Sequence, residues 1–237
     1  MITFGIGTAC VGAAAALELV HGASLVHDDL PCFDNAATRR GKASVHAAFG
    51  EPMAVLVGDA LIVLAFETLA QSCEADPALM APLTLSLPRA TGAVTGIIAG
   101  QAWESEDTIP LHEYHAAKTG ALFVAATRMG AITSGANPEI WQPLGSAIGA
   151  AYQVADDLRD VAGTEAEIGK PIGQDDANDR PNAAASLGVK DTLGLLQKHI
   201  ETAIAAVPVC PGEDTLKDLI RGEAKRLVPK SLAKFAA

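Results

Sequence analysis

Apolar residues recur along this chain at the spacing of one α-helical turn, in block after block, and no run sustains the every-other-residue alternation of a half-buried strand. That pattern limits the fold more than any other feature. It predicts a helix over residues 11–30 and another over about 53–72, opened by Pro52 as an N-terminal proline should open one. "DPALMAPLTLSLPRATG" reads as a broken helical stretch, followed by "AVTGIIAGQAWE", "LHEYHAAKTGALFVAATRMGAI" and "PEIWQPLGSAIGAAYQVADDLRDVAG". Residues 165–182, rich in Gly, Pro, Asp and Asn, read as a loop, with further helices at 183–206 and 213–227. The expectation is one all-α domain over residues 1–237. It would be a bundle of about eight to ten helices whose small Ala and Gly residues let them pack closely around a central space.

Charge narrows the function. With 17 basic and 28 acidic residues the net charge is −11, which speaks against binding nucleic acid through its phosphates. Cys10, Cys32, Cys73 and Cys210 form no CxxC pair or zinc spacing, so free thiols in a reducing cytoplasm are expected. The N-terminus lacks the basic region of a signal peptide. The greasiest stretch, "MAVLVGDALIVLAFETLA", carries Asp59 and Glu67, and is read as a core helix and not a membrane span.

Two acidic clusters stand at the ends of long apolar segments. The first holds Asp28, Asp29 and Asp34; the second holds Asp156, Asp157 and Asp160. Asp156 and Asp160 are i and i+4, so their carboxylates share a helical face, an arrangement that destabilises a helix unless a cation neutralises it. Ligand sets made only of oxygen, without His or Cys, favour a hard ion such as Mg²⁺. Arg39 and Arg40 after the first cluster, Lys170 after the second, and Lys118 on a helix between them suit phosphate oxygens. A solvated acidic face remains the plain alternative for either cluster taken alone.

Taken together, "HDDLPCFDN…RRGK", "GQAWE", "HAAKTGALF" and "YQVADDLRDV…GKPIGQD" resemble the trans-isoprenyl diphosphate synthases, or polyprenyl synthetases, from about residue 10 to 225. The likeness is greatest to the short-chain, geranylgeranyl-producing branch that serves bacterial carotenoid and bacteriochlorophyll pathways. The resemblance implies a cytoplasmic homodimeric prenyltransferase that condenses isopentenyl diphosphate with an allylic diphosphate such as farnesyl diphosphate. Asp28, Asp29, Asp34, Asp156, Asp157 and Asp160 would hold magnesium, three ions with diphosphate bound. Arg39, Lys118, Thr119, Gln153 and Lys170 match positions that meet the allylic substrate, and His21 and Arg40 positions that bind isopentenyl diphosphate. Asp28, Asp34, Asp156, Lys118 and Arg39 would carry the catalysis. Family members that stop at fifteen carbons place a bulky aromatic four or five residues before the first aspartate; here those positions are Ser24 and Ala23, which points to a twenty-carbon product.

The chain departs from the family in lacking the upstream Gly-Lys-x-x-Arg-Pro segment, so the first helix or two of the fold are expected to be missing. That departure keeps open an accessory, non-catalytic subunit as a second reading. A terpene cyclase shares the cage and the first aspartate motif, and a His–Asp metal phosphohydrolase is suggested only by His27-Asp28.

Overall fold

The computed structural model describes residues 7–162 and 182–227. Lys170 and most of the expected loop at 165–182 lie outside those residues. The described chain is helical, as the periodicity requires: α1 Thr8–Asp28, α2 Val45–Phe49, α3 Glu51–Ser72, α4 Met80–Thr91, α5 Ile97–Trp103, α6 Leu111–His115, α7 Ala121–Thr133, α8 Gln142–Ala162, α9 Ala183–Leu187, α10 Val189–Ala205 and α11 Glu213–Leu227. Short 3₁₀ segments at Pro77–Leu79 and Pro138–Trp141 precede α4 and α8. One turn of π-helix, Ala116–Gly120, joins α6 to α7.

Two departures from the expected elements have local causes. A two-strand hairpin, β1 Thr38–Arg39 and β2 Lys42–Ala43, follows the first aspartate cluster. Its turn is only Arg40-Gly41, both at positive φ (53° and 75°), the pair of conformations that a two-residue hairpin needs. It is too short for alternation to announce it. The single helix expected over 183–206 is two, because Gly188 at φ +81° ends α9 and precedes α10. Asn182 caps α9, its Oδ1 accepting the N–H of Ala185 at 3.0 Å.

Small residues decide how closely the long helices approach. The buried stripe of α1 is Ala9, Gly12, Ala13, Ala16, Val20 and Ala23, recurring every third or fourth position. It packs against the Ala54, Gly58, Ala65 and Leu69 stripe of α3. Leu83 and Leu87 of α4 and Ala125 and Met129 of α7 complete this first core. A second core joins Ala151, Val154, Ala155 and Leu158 of α8 to Ala184, Leu196 and Ile200 of α9 and α10. Helix α8 also packs on α7, so it couples the two cores. Each fully buried leucine adds about 1.5–3 kcal/mol, enough that the ends of α1 and α8 are held by their neighbours and not by local propensity.

Helices α1 and α3 are each long and apolar enough to cross a bilayer. Their buried stripes face one another, but most of each apolar surface is not buried within the chain, so α3 is not the enclosed core helix that its sequence suggests. The remaining face of α3 leaves Met53, Leu56, Val63 and Leu64 exposed, Val63 by 66 %.

Candidate active site

The first acidic cluster is assembled by a fold-back. Helix α1 ends at Asp28, and residues 29–36 then turn on themselves. The N–H of Asp34 donates to the Asp28 carbonyl at 2.9 Å, those of Phe33 and Asn35 to Leu30 at 2.9 and 3.0 Å, and that of Ala36 to Asp29 at 3.1 Å. The four residues between Asp29 and Asp34 therefore make a loop that returns Asp34 to Asp28. Helix α5 is followed at once by Glu104, whose carboxylate joins them. Oxygens of Asp28, Asp34 and Glu104 all lie within 4.8 Å of one another.

Two cations face this cluster. The hairpin sends Arg39 back, with Nε donating to Asp29 Oδ1 at 2.9 Å, a terminal nitrogen bonding the same oxygen, and that nitrogen standing 3.6 Å from Asp28 Oδ2. The π turn brings Lys118, whose Nζ lies 3.5 Å from Asp28 Oδ1 and bonds Glu104 Oε1. Among these groups four carboxylates (Asp28, Asp29, Asp34, Glu104) meet two cations, leaving a surplus of two negative charges. Burial raises the pKa of Asp28 above the ordinary carboxylate range; Lys118 opposes the shift, Asp34 and Glu104 add to it, and Arg39 opposes it. The donors are all carboxylate oxygens, so the set suits a hard divalent cation such as Mg²⁺.

The second cluster is tied to the first through consecutive residues. Lys118 meets Asp28, while Thr119 Oγ1 donates to Gln153 Oε1 at 2.7 Å and Gln153 Nε2 donates to Asp157 Oδ1 at 2.9 Å. The π geometry helps, because one wide turn shifts the helical phase and lets neighbouring side chains serve different partners. Close approach of backbones makes the reach possible. A Cβ on Gly149 of α8 would lie 2.7 Å from Gly120 Cα, and one on Gly100 of α5 would lie 2.3 Å from the Lys118 nitrogen.

The structure sorts the six aspartates. Asp29 is buried beneath Arg39, and Asp157 is only 1 % exposed. Both Asp157 oxygens accept bonds from protein, Oδ1 from Gln153 and Oδ2 from the Ala183 N–H at 2.9 Å, and its carbonyl accepts from Asn182. These placements suit a scaffold, Asp29 orienting Arg39 and Asp157 fastening α9 to α8, better than they suit metal ligation. Asp156 is half-buried and Asp160 buried on the same helix. Ala23 is buried, and Ser24 turns its hydroxyl to the His21 carbonyl at 2.8 Å. His21, two turns before Asp28, has its ring 3.7 Å from Glu18. Arg40 is exposed at the hairpin turn. Glu104 is a site residue to which the sequence alone assigns no role. "GQAWE" was visible as a motif, but a single glutamate after a short helix carries no spacing that ties it to Asp28.

This fold and constellation define a class. The Polyprenyl synthetase family model matches residues 8–206, and the chain belongs to that family. Among its relatives, the geranylgeranyl diphosphate synthase of Cereibacter sphaeroides is 52 % identical over 221 residues, covering 93 % of this chain and 77 % of that one. That of Rhodobacter capsulatus is 51 % identical, covering 91 % and 75 %. Among solved structures, a Helicobacter pylori geranyltransferase complexed with magnesium and isoprenyl diphosphate superposes with a TM-score of 0.76 at 31 % identity, covering 91 % of this chain and 72 % of that one. An FPP/GFPP synthase from Zymomonas mobilis gives 0.77 at 31 % identity, covering 94 % and 81 %.

Proposed function

We propose that this chain is a magnesium-dependent prenyltransferase that condenses isopentenyl diphosphate head-to-tail with an allylic diphosphate, releasing geranylgeranyl diphosphate. The observation that carries the reading is the convergence of Asp28, Asp34 and Glu104 with Lys118 and Arg39 at the end of an apolar helix pair. The relatives at 52 and 51 % identity support the twenty-carbon product.

Asp28 and Asp34, with Asp156 and Asp160 from α8, would hold the metal, three ions once diphosphate is present. Bound there, magnesium would neutralise the diphosphate so that pyrophosphate becomes a competent leaving group. The residues of the chain do the rest. Lys118 and Arg39 present positive charge where negative charge develops on the departing pyrophosphate, and cost no reorganisation because Glu104 and Asp29 already hold them. The allylic carbon–oxygen bond breaks, the double bond of isopentenyl diphosphate attacks the resulting cation, and a proton is lost to the released pyrophosphate. Thr119 and Gln153 would orient the allylic diphosphate, and Lys170 would add charge to it. His21 and Arg40 would meet isopentenyl diphosphate. The cation needs a site that excludes water, which would otherwise capture it, and the apolar end of α1 beside Asp28 would help to supply one.

The exposed Met53, Leu56, Val63 and Leu64 face of α3 supports a homodimer, and the free thiols of Cys10, Cys32, Cys73 and Cys210 support a cytoplasmic enzyme. The direct test is incubation of the purified chain with Mg²⁺, farnesyl diphosphate and labelled isopentenyl diphosphate. A C20 diphosphate is expected. A hydrocarbon product would assign cyclase chemistry instead, and turnover only after adding a complete synthase would assign an accessory subunit.

Product length gives a sharper check. Ala23 is 1 % exposed, one turn and a residue before Asp28. If it lines the tail cavity, Ala23→Phe should fill the cavity and shift the product toward farnesyl diphosphate with little loss of thermal stability. If it is packed core, the same change should overpack, costing about 1–3 kcal/mol and leaving product length unchanged. Product analysis and a melting curve on one variant distinguish the two.

A further inference from the structure

We infer that Glu104, oriented by Tyr114 and Gln101, is a positioning residue that holds the Lys118 ammonium beside Asp28, ready for transfer to the substrate diphosphate. The inference rests on the condensation reading for what Lys118 does, but the network stands on geometry alone.

Glu104 is nearly enclosed, its side chain 9 % exposed. A carboxylate so placed is costly unless donors surround it, and three elements supply them. Tyr114 of α6 donates its hydroxyl to Oε1 at 2.7 Å. Gln101 of α5 donates Nε2 to Oε2 at 2.8 Å. Lys118 of the π turn bonds Oε1. The tyrosine acts twice, because Nζ of Lys118 also stands 5.9 Å from its ring centroid. The lysine is thus bracketed by Glu104, the Tyr114 ring and Asp28.

The bracket is asymmetric. The Glu104 contact is the closer, and its carboxylate is fixed by two other donors; the Asp28 contact is 3.5 Å. A cation arriving at Asp28 competes with Lys118 for the same carboxylate, and the longer contact yields first. Glu104 then keeps the ammonium at the cluster's edge, where an incoming diphosphate meets it. Without Glu104 the four-carbon stem would have to be ordered by the substrate itself, at a cost in conformational entropy.

Glu104→Gln keeps the size and one acceptor oxygen for Tyr114 and Lys118, removes the charge, and puts an amide NH2 opposite Gln101, whose own amide can turn to accept it. Amine-acylation footprinting read by mass spectrometry needs no turnover. Lys118 should react slowly in the parent chain and severalfold faster in the variant, and equal rates would overturn the inference. In kinetics, KM for the allylic diphosphate should rise about tenfold, the scale of one charge-assisted hydrogen bond, with KM for isopentenyl diphosphate nearly unchanged. In a Lys118→Ala background the same substitution should add less than about twofold, since both changes remove one interaction. Full additivity, together with a higher Mg²⁺ requirement in both backgrounds, would make Glu104 a direct metal ligand and sink the positioning role. Tyr114→Phe, which removes one donor and keeps the ring, should move footprint and KM the same way by a smaller factor; it carries the test if Glu104→Gln fails to fold. A parent chain that condenses nothing would defeat the proposed function while the footprint still decides the network.

Discussion

Asp28→Asn is expected to abolish condensation, by about 10³-fold or more, while leaving a chain at least as stable as its parent. The two effects share one cause. The Asp28 carboxylate is buried and faces Asp34 and Glu104, and these raise its pKa against the pull of Lys118 and Arg39. A raised carboxylate pKa means the folded chain holds that proton more tightly than the unfolded chain does. Its contribution to stability is therefore present at low pH and is lost as pH rises through the folded value. Above that value the ionised, buried group opposes folding, and asparagine removes that opposition. Lys118 and Arg39 do not become orphans, because Glu104 and Asp29 still hold them. Each kcal/mol recovered should raise Tm by about 2–4 °C in a chain of this size. Magnesium pyrophosphate should stabilise the parent chain and not the variant, because a ligand stabilises only the fold it binds. A marked drop in Tm on substitution would show that the two ion pairs, and not burial, dominate at this position.

The same residues show what could be read from sequence. The helices were legible because burial imposes a 3.6-residue period on stretches such as α8 and α10, while α1 and α3, apolar on nearly every face, showed themselves by length and composition. The aspartate clusters were legible because so much like charge beside apolar residues is costly unless something neutralises it. What could not be read was the partition of work inside each cluster. Asp28 and Asp29 are neighbours with identical chemistry, yet one faces Lys118 and Glu104 while the other is spent on Arg39. That difference is set by a hairpin of two-residue strands, too short to leave a periodic trace. Asp157 looks like Asp156 in sequence, but the direction of α8 turns it to the backbone of Ala183. Glu104 was hidden for a third reason. Its link to Asp28 is made wholly by tertiary packing of α5, α6 and the π turn, and no sequence spacing encodes it.

That packing makes Gly100→Ala the most informative change away from the charged groups. A methyl at Gly100 would meet the Lys118 nitrogen at 2.3 Å and its Cα at 2.4 Å. Both are backbone atoms and cannot swing aside, so α5 and the π turn must part. Separation costs packing, about 1–3 kcal/mol for an overpacked contact. It also moves Lys118 and Thr119 together, and with them the link from Asp28 to Gln153. A displacement near 1 Å in a positioning group costs about 10²-fold in rate, so kcat/KM should fall by that order in a variant that still melts cooperatively. Gly58→Ala is the informative contrast. Its methyl would collide at 2.0 Å, but with the ring nitrogen of His27, the far end of a side chain that can rotate away at the loss of its 3.2 Å contact with the Val55 carbonyl. The nominal clash is tighter there, yet the penalty should be smaller in both Tm and rate. Equal effects from the two alanines would mean that helix spacing in general, and not the seat of Lys118 against α5, governs the site.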